Sequence, residues 1–457
     1  MNIDTIINLF VDALETIKRQ EDEKMPPLYY AVCILNNNES FKLIANGGRI
    51  YIYYRGTYWS ISTKDKTMDF VKRCVLKIDS VLNVSVRLVS KVLDELFMQY
   101  RELTPYIDEN ATYINMRSNV LVIYKDGSIK TVEHDEKYNF TYQLPYDYDA
   151  EATCPVFDKF LQTSLGDVEL IDVIGEYLGY VLSNNSKNYE KALFMYGDGS
   201  NGKSTLINIT KALFGVENIS FVELSEMGDM LKCALMDGKL LNISSDAKKN
   251  GLDTSAFKKI VSGEVVLGKY LFKDIYTIDK LPKLLVAMNK LPFNNGDNSH
   301  GFYRRLLLVP FNVTIKEEDK DYEIHSKMLL ELPAILNFAI DGMKRLVKQG
   351  GFTEAKAIKE LMTSYKESSN YVTTFLEEEQ YEAVDPSAKT GTKLLDIFRE
   401  FKSWCLERGY NPYSEAYLSS ELNHLGYIAY KNSSKHYRII KGKLKNATGF
   451  QELENDY

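Results

Sequence analysis

The 457-residue sequence predicts an α/β protein built around a parallel sheet. Between Ala192 and Phe311, apolar runs of strand length alternate with helical segments, the pattern of strands joined by crossover helices. A glycine-rich string, Gly197 to Ser204, sits between the strand Ala192-Leu-Phe-Met-Tyr and a helix running from Thr205 to Leu213, stopped at Gly215. A hydrophobic content of 45% and a charged content of 26% suit a globular chain with its own core.

The elements around this core follow in order. Residues 1–20 read as an amphipathic helix, with Ile3, Ile6, Ile7, Phe10, Leu14 and Ile17 on one side. Residues 28–62 are β-rich, and Arg55-Gly56 marks a hairpin turn between two aromatic strands. Residues 66–102 return to helical spacing. A second hairpin follows, Val120 to Tyr124 and Ser128 to Val132 around Asp126-Gly127. Two helices, near 156–164 and 168–183, precede the first core strand. Residues 353–380 are helical and end in the acidic run Glu377-Glu378-Glu379. The stretch Asp385 to Gly391 reads as a linker. Beyond it come a helix from Lys393 to Glu407, a turn at Gly409, a helix from Leu418 to Leu425, and strands Tyr427–Tyr430 and His436–Ile440. Helices followed by a two-stranded wing predict a winged-helix domain.

Composition excludes several classes. No window approaches the ~18 apolar residues that a membrane helix needs, and the start Met1-Asn2-Ile3-Asp4 lacks the basic region of a secretory signal. The five cysteines, Cys33, Cys74, Cys154, Cys233 and Cys405, have no C-x-x-C spacing, which excludes a cysteine zinc site and fits reduced thiols in the cytoplasm. A net charge of −7 does not advertise a nucleic-acid binder, yet residues 386–445 are distinctly cationic.

The string Gly197-Asp198-Gly199-Ser200-Asn201-Gly202-Lys203-Ser204 is a complete G-x-x-x-x-G-K-[ST] loop, with Thr205 opening the helix behind it. Glycines let backbone N–H groups wrap phosphates, and the helix N-terminus adds a positive dipole. Lys203 is placed to reach β- and γ-phosphates, and the Ser204 hydroxyl to ligate Mg²⁺. The expected ligands are therefore ATP and Mg²⁺.

Three further signals follow. The strand Leu240 to Ser245 ends in Asp246, a carboxylate able to hold Mg²⁺ or orient water. The strand Leu284 to Met288 ends in Asn289, whose amide can position water against a γ-phosphate. Arg304 and Arg305 precede the strand Leu306 to Val309, where an arginine can stabilise transition-state charge on a neighbouring subunit's nucleotide. Taken singly, Asp246 and Asn289 read equally well as surface or turn residues, and a lone Arg pair is usually a solvated surface feature; their order is the signal.

In that order the sequence resembles the superfamily 3 helicases of the AAA+ class, in particular the primase-helicase family of phages, plasmids and poxviruses. The matching stretches are 197–205, Gly238 to Asp246, Val261-Ser-Gly-Glu264, Lys283 to Pro292 and Phe302 to Phe311. Upstream, Leu144 to Asp149 and Tyr177 to Tyr180 resemble the segment preceding the ATPase in that family. The resemblance implies an AAA+ core at 191–350, preceded by an α+β region at 1–150 and a helical collar at 151–190. A connector at 351–385 and the winged-helix domain at 386–457 follow. It gives Asn289 the sensor role and Arg305 the finger role, with Arg304 as its alternate. Two departures stand out. Asp246 replaces the family's usual glutamate, and Lys248 stands where a second acid is common.

The resemblance further implies a homo-oligomer, expected to be a hexamer, with single-stranded DNA in a central channel. Lys269 and Lys273 fall on the stretch Val265 to Tyr276, which matches the family's DNA-gripping hairpin. Lys431, Lys435 and Arg438 of the C-terminal domain are expected to meet duplex phosphates. Asp147-x-Asp149 reads as structural rather than as a primase metal site, so a primase, if needed, is a separate chain. Two other readings stand beside this one: an AAA+ remodeller or origin-binding switch that does not unwind DNA, and a small-molecule kinase sharing the loop.

Overall fold

The structure, a computed structural model, describes residues 42–46, 49–54, 56–61, 110–183, 189–245, 253–269, 275–278, 280–289, 299–368, 371–384, 390–408, 412–431, 435–437 and 439–441, with residues 73, 106, 108 and 410. The expected helices at 1–20 and 66–102 lie outside these, apart from residue 73. The fold is mixed α/β, and the chain divides into two compact units, one of residues 1–292 and 301–361, the other of residues 293–300 and 362–457.

The first unit begins with an antiparallel meander, β1 (Lys42–Asn46), β2 (Arg49–Tyr54) and β3 (Thr57–Ile61). Tyr54 pairs with Thr57 across the expected turn at Gly56, where φ is +81°. A second meander joins β4 (Ala111–Asn115), β5 (Val120–Tyr124) and β6 (Ile129–Val132). The β5–β6 hairpin is the one expected, with Asp126 Oδ1 accepting from the Ser128 N–H at 2.8 Å. Strand β4 carries no alternation in sequence, because four of its five residues are buried and both faces are covered.

Two helices follow, α1 (Pro155–Leu165) and α2 (Val168–Leu182). Glu331 caps α1 from far along the chain, its carboxylate accepting from Val156 N at 3.0 Å and Phe157 N at 2.9 Å. The core strands are β7 (Ala192–Tyr196), β8 (Ile219–Ser220), β9 (Leu241–Ser245), β12 (Lys283–Met288) and β13 (Leu306–Pro310). Every pairing among them is parallel, in the order β13-β7-β12-β9-β8. Helices α3 (Lys203–Phe214), α4 (Met230–Met236) and α5 (Thr254–Ser262) lie between consecutive strands along the chain. An antiparallel hairpin, β10 (Val266–Lys269) and β11 (Ile275–Ile278), stands apart from the sheet. The short helix α6 (His300–Tyr303) leads into β13.

After β13 come α7 (Ile324–Leu329), α8 (Leu332–Gln349) and α9 (Lys356–Ser368). Residues of β4, β5, α1, α2, α8 and the sheet share one hydrophobic core, with Phe157, Tyr177, Leu213 and Leu336 fully buried in it. Helices α2 and α8 cross so closely that a Cβ on Gly342 would lie 2.1 Å from the Gly175 carbonyl carbon. Beside the crossing, Glu176, fully buried, accepts from Arg345 Nε at 2.9 Å, Thr353 N at 2.8 Å and Thr353 Oγ1 at 2.6 Å. Its charge is therefore paired and its lone pairs are used. Gly342→Ala is expected to destabilise the protein by about 1–3 kcal/mol, since the overpacking outweighs the helix-propensity gain of alanine. Chemical denaturation checks this.

The second unit holds α10 (Tyr371–Glu378), β14 (Tyr381–Ala383), β15 (Thr392–Lys393), α11 (Leu394–Glu407), α12 (Glu415–His424), β16 (Ala429–Lys431), β17 (Lys435–Tyr437) and β18 (Ile439–Lys441). Strand β17 pairs antiparallel with both β15 and β16, and β14 with β18. Its core is aromatic: Tyr371 stacks on Tyr413 with centroids 4.2 Å apart, and Phe375, Phe401 and Trp404 pack around them.

Candidate nucleotide site

The carboxyl ends of β7, β9 and β12 come level with one another. Tyr196 pairs with Met288, and Ala287 with Ser245. The crevice outside the carboxyl ends of parallel strands is where such sheets bind ligands. Chain exits converge here: Gly197 N donates to Met288 O at 3.2 Å, and Phe311 N to Tyr196 O at 2.7 Å.

The loop Gly197 to Gly202 leaves β7 and enters α3. Two of its glycines are required by contact. A Cβ at Gly197 would lie 2.3 Å from the Phe311 carbonyl oxygen, and one at Gly202, where φ is +91°, would lie 2.5 Å from Ser164 Oγ. Asn201 pins the loop by donating from Nδ2 to Phe311 O at 2.9 Å, and Ile315 N donates to Ser200 O at 2.8 Å. Lys203 opens α3 and is buried. Its ammonium donates to Gly197 O at 2.5 Å, Asp198 O at 2.8 Å and Asn201 Oδ1 at 3.0 Å. The cation is thus held over the loop itself. Ser204, in the first turn, is exposed, and Thr205 is half-buried. A curled backbone, a helix N-terminus, a cation and a free hydroxyl are the groups a polyphosphate with Mg²⁺ needs.

Asn289 directly follows β12 and is exposed, one residue past the Tyr196–Met288 pair. Asp246 lies outside the described residues; strand β9 ends one position before it, at Ser245. A carboxylate that the sequence reading passed over sits by this strand: Ser244 Oγ donates to Glu223 Oε2 at 2.6 Å. No motif marks Glu223, which reaches β9 only through the fold. A second such residue is Ser164 of α1, whose buried hydroxyl lies against Gly202 with no hydrogen-bond partner.

Arg304 and Arg305 stand at the opposite edge. The Arg305 carbonyl accepts from Ala192 N at 2.9 Å, so both arginines lie at the amino ends of β7 and β13. A five-residue strand separates that edge from the loop by roughly 16 Å. Arg305 is buried, its Nη2 2.6 Å from Ser262 Oγ and its Nη1 2.5 Å from Gly301 O. Arg304 is half-exposed, and Glu190 Oε2 pairs with both, 2.8 Å from Arg304 and 3.1 Å from Arg305. Burial, and secondarily the charge of Arg304, lowers the pKa of the adjacent Lys191. Glu190 escaped the sequence reading because a lone acid before a strand has no distinguishing pattern.

Lys269 ends β10, half-exposed and paired in register with Ile275; Lys273 lies outside the described residues. The outward residues of this hairpin, Val265, Leu267 and Ile275, are apolar and exposed.

In the second unit, some of the cationic charge is matched by nearby acids. Arg408 pairs with Glu378 at 2.6 Å, and Lys441 with Glu379 at 2.5 Å and Glu400 at 3.1 Å. Lys435 donates to Ser419 Oγ at 2.5 Å and lies over the Tyr437 ring. Arg438 and the side chain of Lys431 lie outside the described residues. Helix α12 exposes Glu415, Ala416, Ser420 and Asn423 and no cation among its described side chains. Two of the acids in these pairs, Glu378 and Glu379, precede the linker and lie outside the cationic stretch 386–445.

Asp147 pairs with Arg117, and Asp149 Oδ1 accepts from Glu151 N at 3.0 Å. Among the described residues no cluster of three or more His, Cys, Asp or Glu side chains could hold a metal, and no helix is long and apolar enough to cross a membrane.

Two family models match parts of the chain. Residues 195–305 match a family of unknown function, DUF5906, a span that runs from the end of β7 through the loop, Asn289 and both arginines. Similar solved structures include three of the NrS-1 C-terminal region, two of them described as the A form apo structure. They are 11–12% identical, cover 91–92% of this chain and 99–100% of theirs, and give TM-scores of 0.45 to 0.49. Residues 33–166 match the family described as D5 N terminal like, so a D5-like segment lies ahead of the phosphate-type loop in this chain.

Proposed function

We propose that the protein is an ATP-dependent DNA helicase of superfamily 3 that works as a homo-oligomeric ring, a hexamer, in replication of a phage or mobile element. The observation that carries this reading is the division of the sheet. The loop and Asn289 lie at its carboxyl edge, and the arginine pair at its amino edge. One chain then offers half of a catalytic site at each edge, which suits copies arranged head to tail. The D5-like segment supports the primase-helicase resemblance, and the AAA+ core is the architecture in which these parts work together.

In this reading Lys203 balances β,γ-phosphate charge, and Ser204 with Asp246 would hold Mg²⁺. Asn289 orients the attacking water, and the edge that carries the arginine pair faces the neighbouring copy's nucleotide, to which it supplies a finger. Lys269 and Lys273 grip single-stranded DNA in the channel. In a winged-helix C-terminal domain, duplex contact falls to the wing residues Lys431, Lys435 and Arg438, because α12 exposes no cation among its described side chains. The test is phosphate release with and without single-stranded DNA. Stimulation by DNA supports the helicase, whereas a turnover indifferent to DNA favours the remodeller. For the hairpin, neutralising Lys269 and Lys273 together is expected to spare basal hydrolysis and stop unwinding; preserved unwinding would place the grip elsewhere.

A further inference from the structure

The two arginines required by the shared site converge on one carboxylate oxygen, and they are not held alike. Arg305 keeps Ser262 Oγ and Gly301 O whatever Glu190 does, and its side chain is 9% exposed. Arg304 is 49% exposed, and Glu190 is the only hydrogen-bond partner its guanidinium has among the described residues. Two guanidinium cations thus share a single carboxylate oxygen, and this cationic surplus favours a further anion. A carboxylate oxygen and a phosphate oxygen are interchangeable acceptors for a guanidinium, the phosphate carrying more charge.

We propose that Glu190 is a latch: it holds Arg304 by standing in for the γ-phosphate oxygen of a second copy's nucleotide, and it releases Arg304 to that phosphate when the copies assemble. Arg305 remains fixed and positions the edge. This rests on the shared-site reading above. No covalent bond is made or broken; Arg304 exchanges one anionic acceptor for another.

The test compares steady-state phosphate release by the full chain with that of Glu190→Gln and Glu190→Asn, alone and combined with Arg304→Ala. Asparagine tolerates the positive φ of 47° at this position, so that variant guards against a folding defect. An ion pair of such exposure holds only weakly, so both variants are expected to raise kcat by roughly two- to five-fold. The rise should vanish on the Arg304→Ala background. An unchanged or lowered kcat, in a variant that melts and assembles as the wild type does, would overturn the latch. So would an equal rise without Arg304. If Arg304→Ala and Arg305→Ala each keep full turnover, the shared-site reading fails and takes the latch with it. If they are inactive and the Glu190 variants are no faster, the latch alone fails.

Discussion

Lys203→Ala is expected to abolish ATP hydrolysis while leaving the fold in place. The ammonium is the one cation that the loop itself supplies over the phosphate position, held there by Gly197 O, Asp198 O and Asn201 Oδ1. Losing a group that balances charge developing in the transition state costs on the order of 10²–10³-fold or more in turnover. The structural cost is smaller. The three oxygens lose a donor at the mouth of the site, about 1–3 kcal/mol, while the Asn201–Phe311 and Ser200–Ile315 bonds still hold the loop. Thermal melting and phosphate release, measured together, separate the two effects. Normal turnover in this variant would remove the nucleotide reading altogether.

Mixing Lys203→Ala chains with Arg304→Ala chains is expected to restore hydrolysis that neither has alone. An arginine finger contributes on the order of 10³-fold or more, so Arg304→Ala should bind ATP and assemble, yet turn over poorly. Arg305→Ala should also be inactive, but it removes a buried guanidinium from Glu190, Ser262 and Gly301, so a packing defect would be mixed with the loss of activity. Arg304 therefore gives the cleaner variant. In a randomly mixed ring at equal amounts, about a quarter of the interfaces join a working loop to a working arginine. Phosphate release titrated at fixed total protein should rise to a maximum between the two pure variants. A flat, inactive titration with demonstrated subunit exchange would contradict a site built between copies.

The parts of this arrangement legible in sequence are those with a local signature. The loop announces itself because its glycines are required by close contact, and Asn289 because it ends an apolar strand. Helices α1 and α2 keep their predicted spans almost to the residue, because their apolar spacing and the Gly166 and Asp167 boundary between them are local features. Strand β4 was not legible, being buried on both faces. Glu190, Glu223 and Ser164 were not legible either, since each acts only through a partner distant in sequence: Arg304, Ser244 and Gly202. The cationic C-terminus was legible as composition but not as potential. Glu378 and Glu379 return from before the linker to pair with Arg408 and Lys441.

If the chain turns ATP hydrolysis into strand separation, a forked duplex reports it. The purified 457-residue protein with ATP and Mg²⁺ is expected to displace one labelled strand, and the Lys203→Ala protein to displace none. ATP turnover by the wild-type protein without any displacement, over protein concentrations at which it assembles, would contradict the account and leave a nucleotide-driven switch.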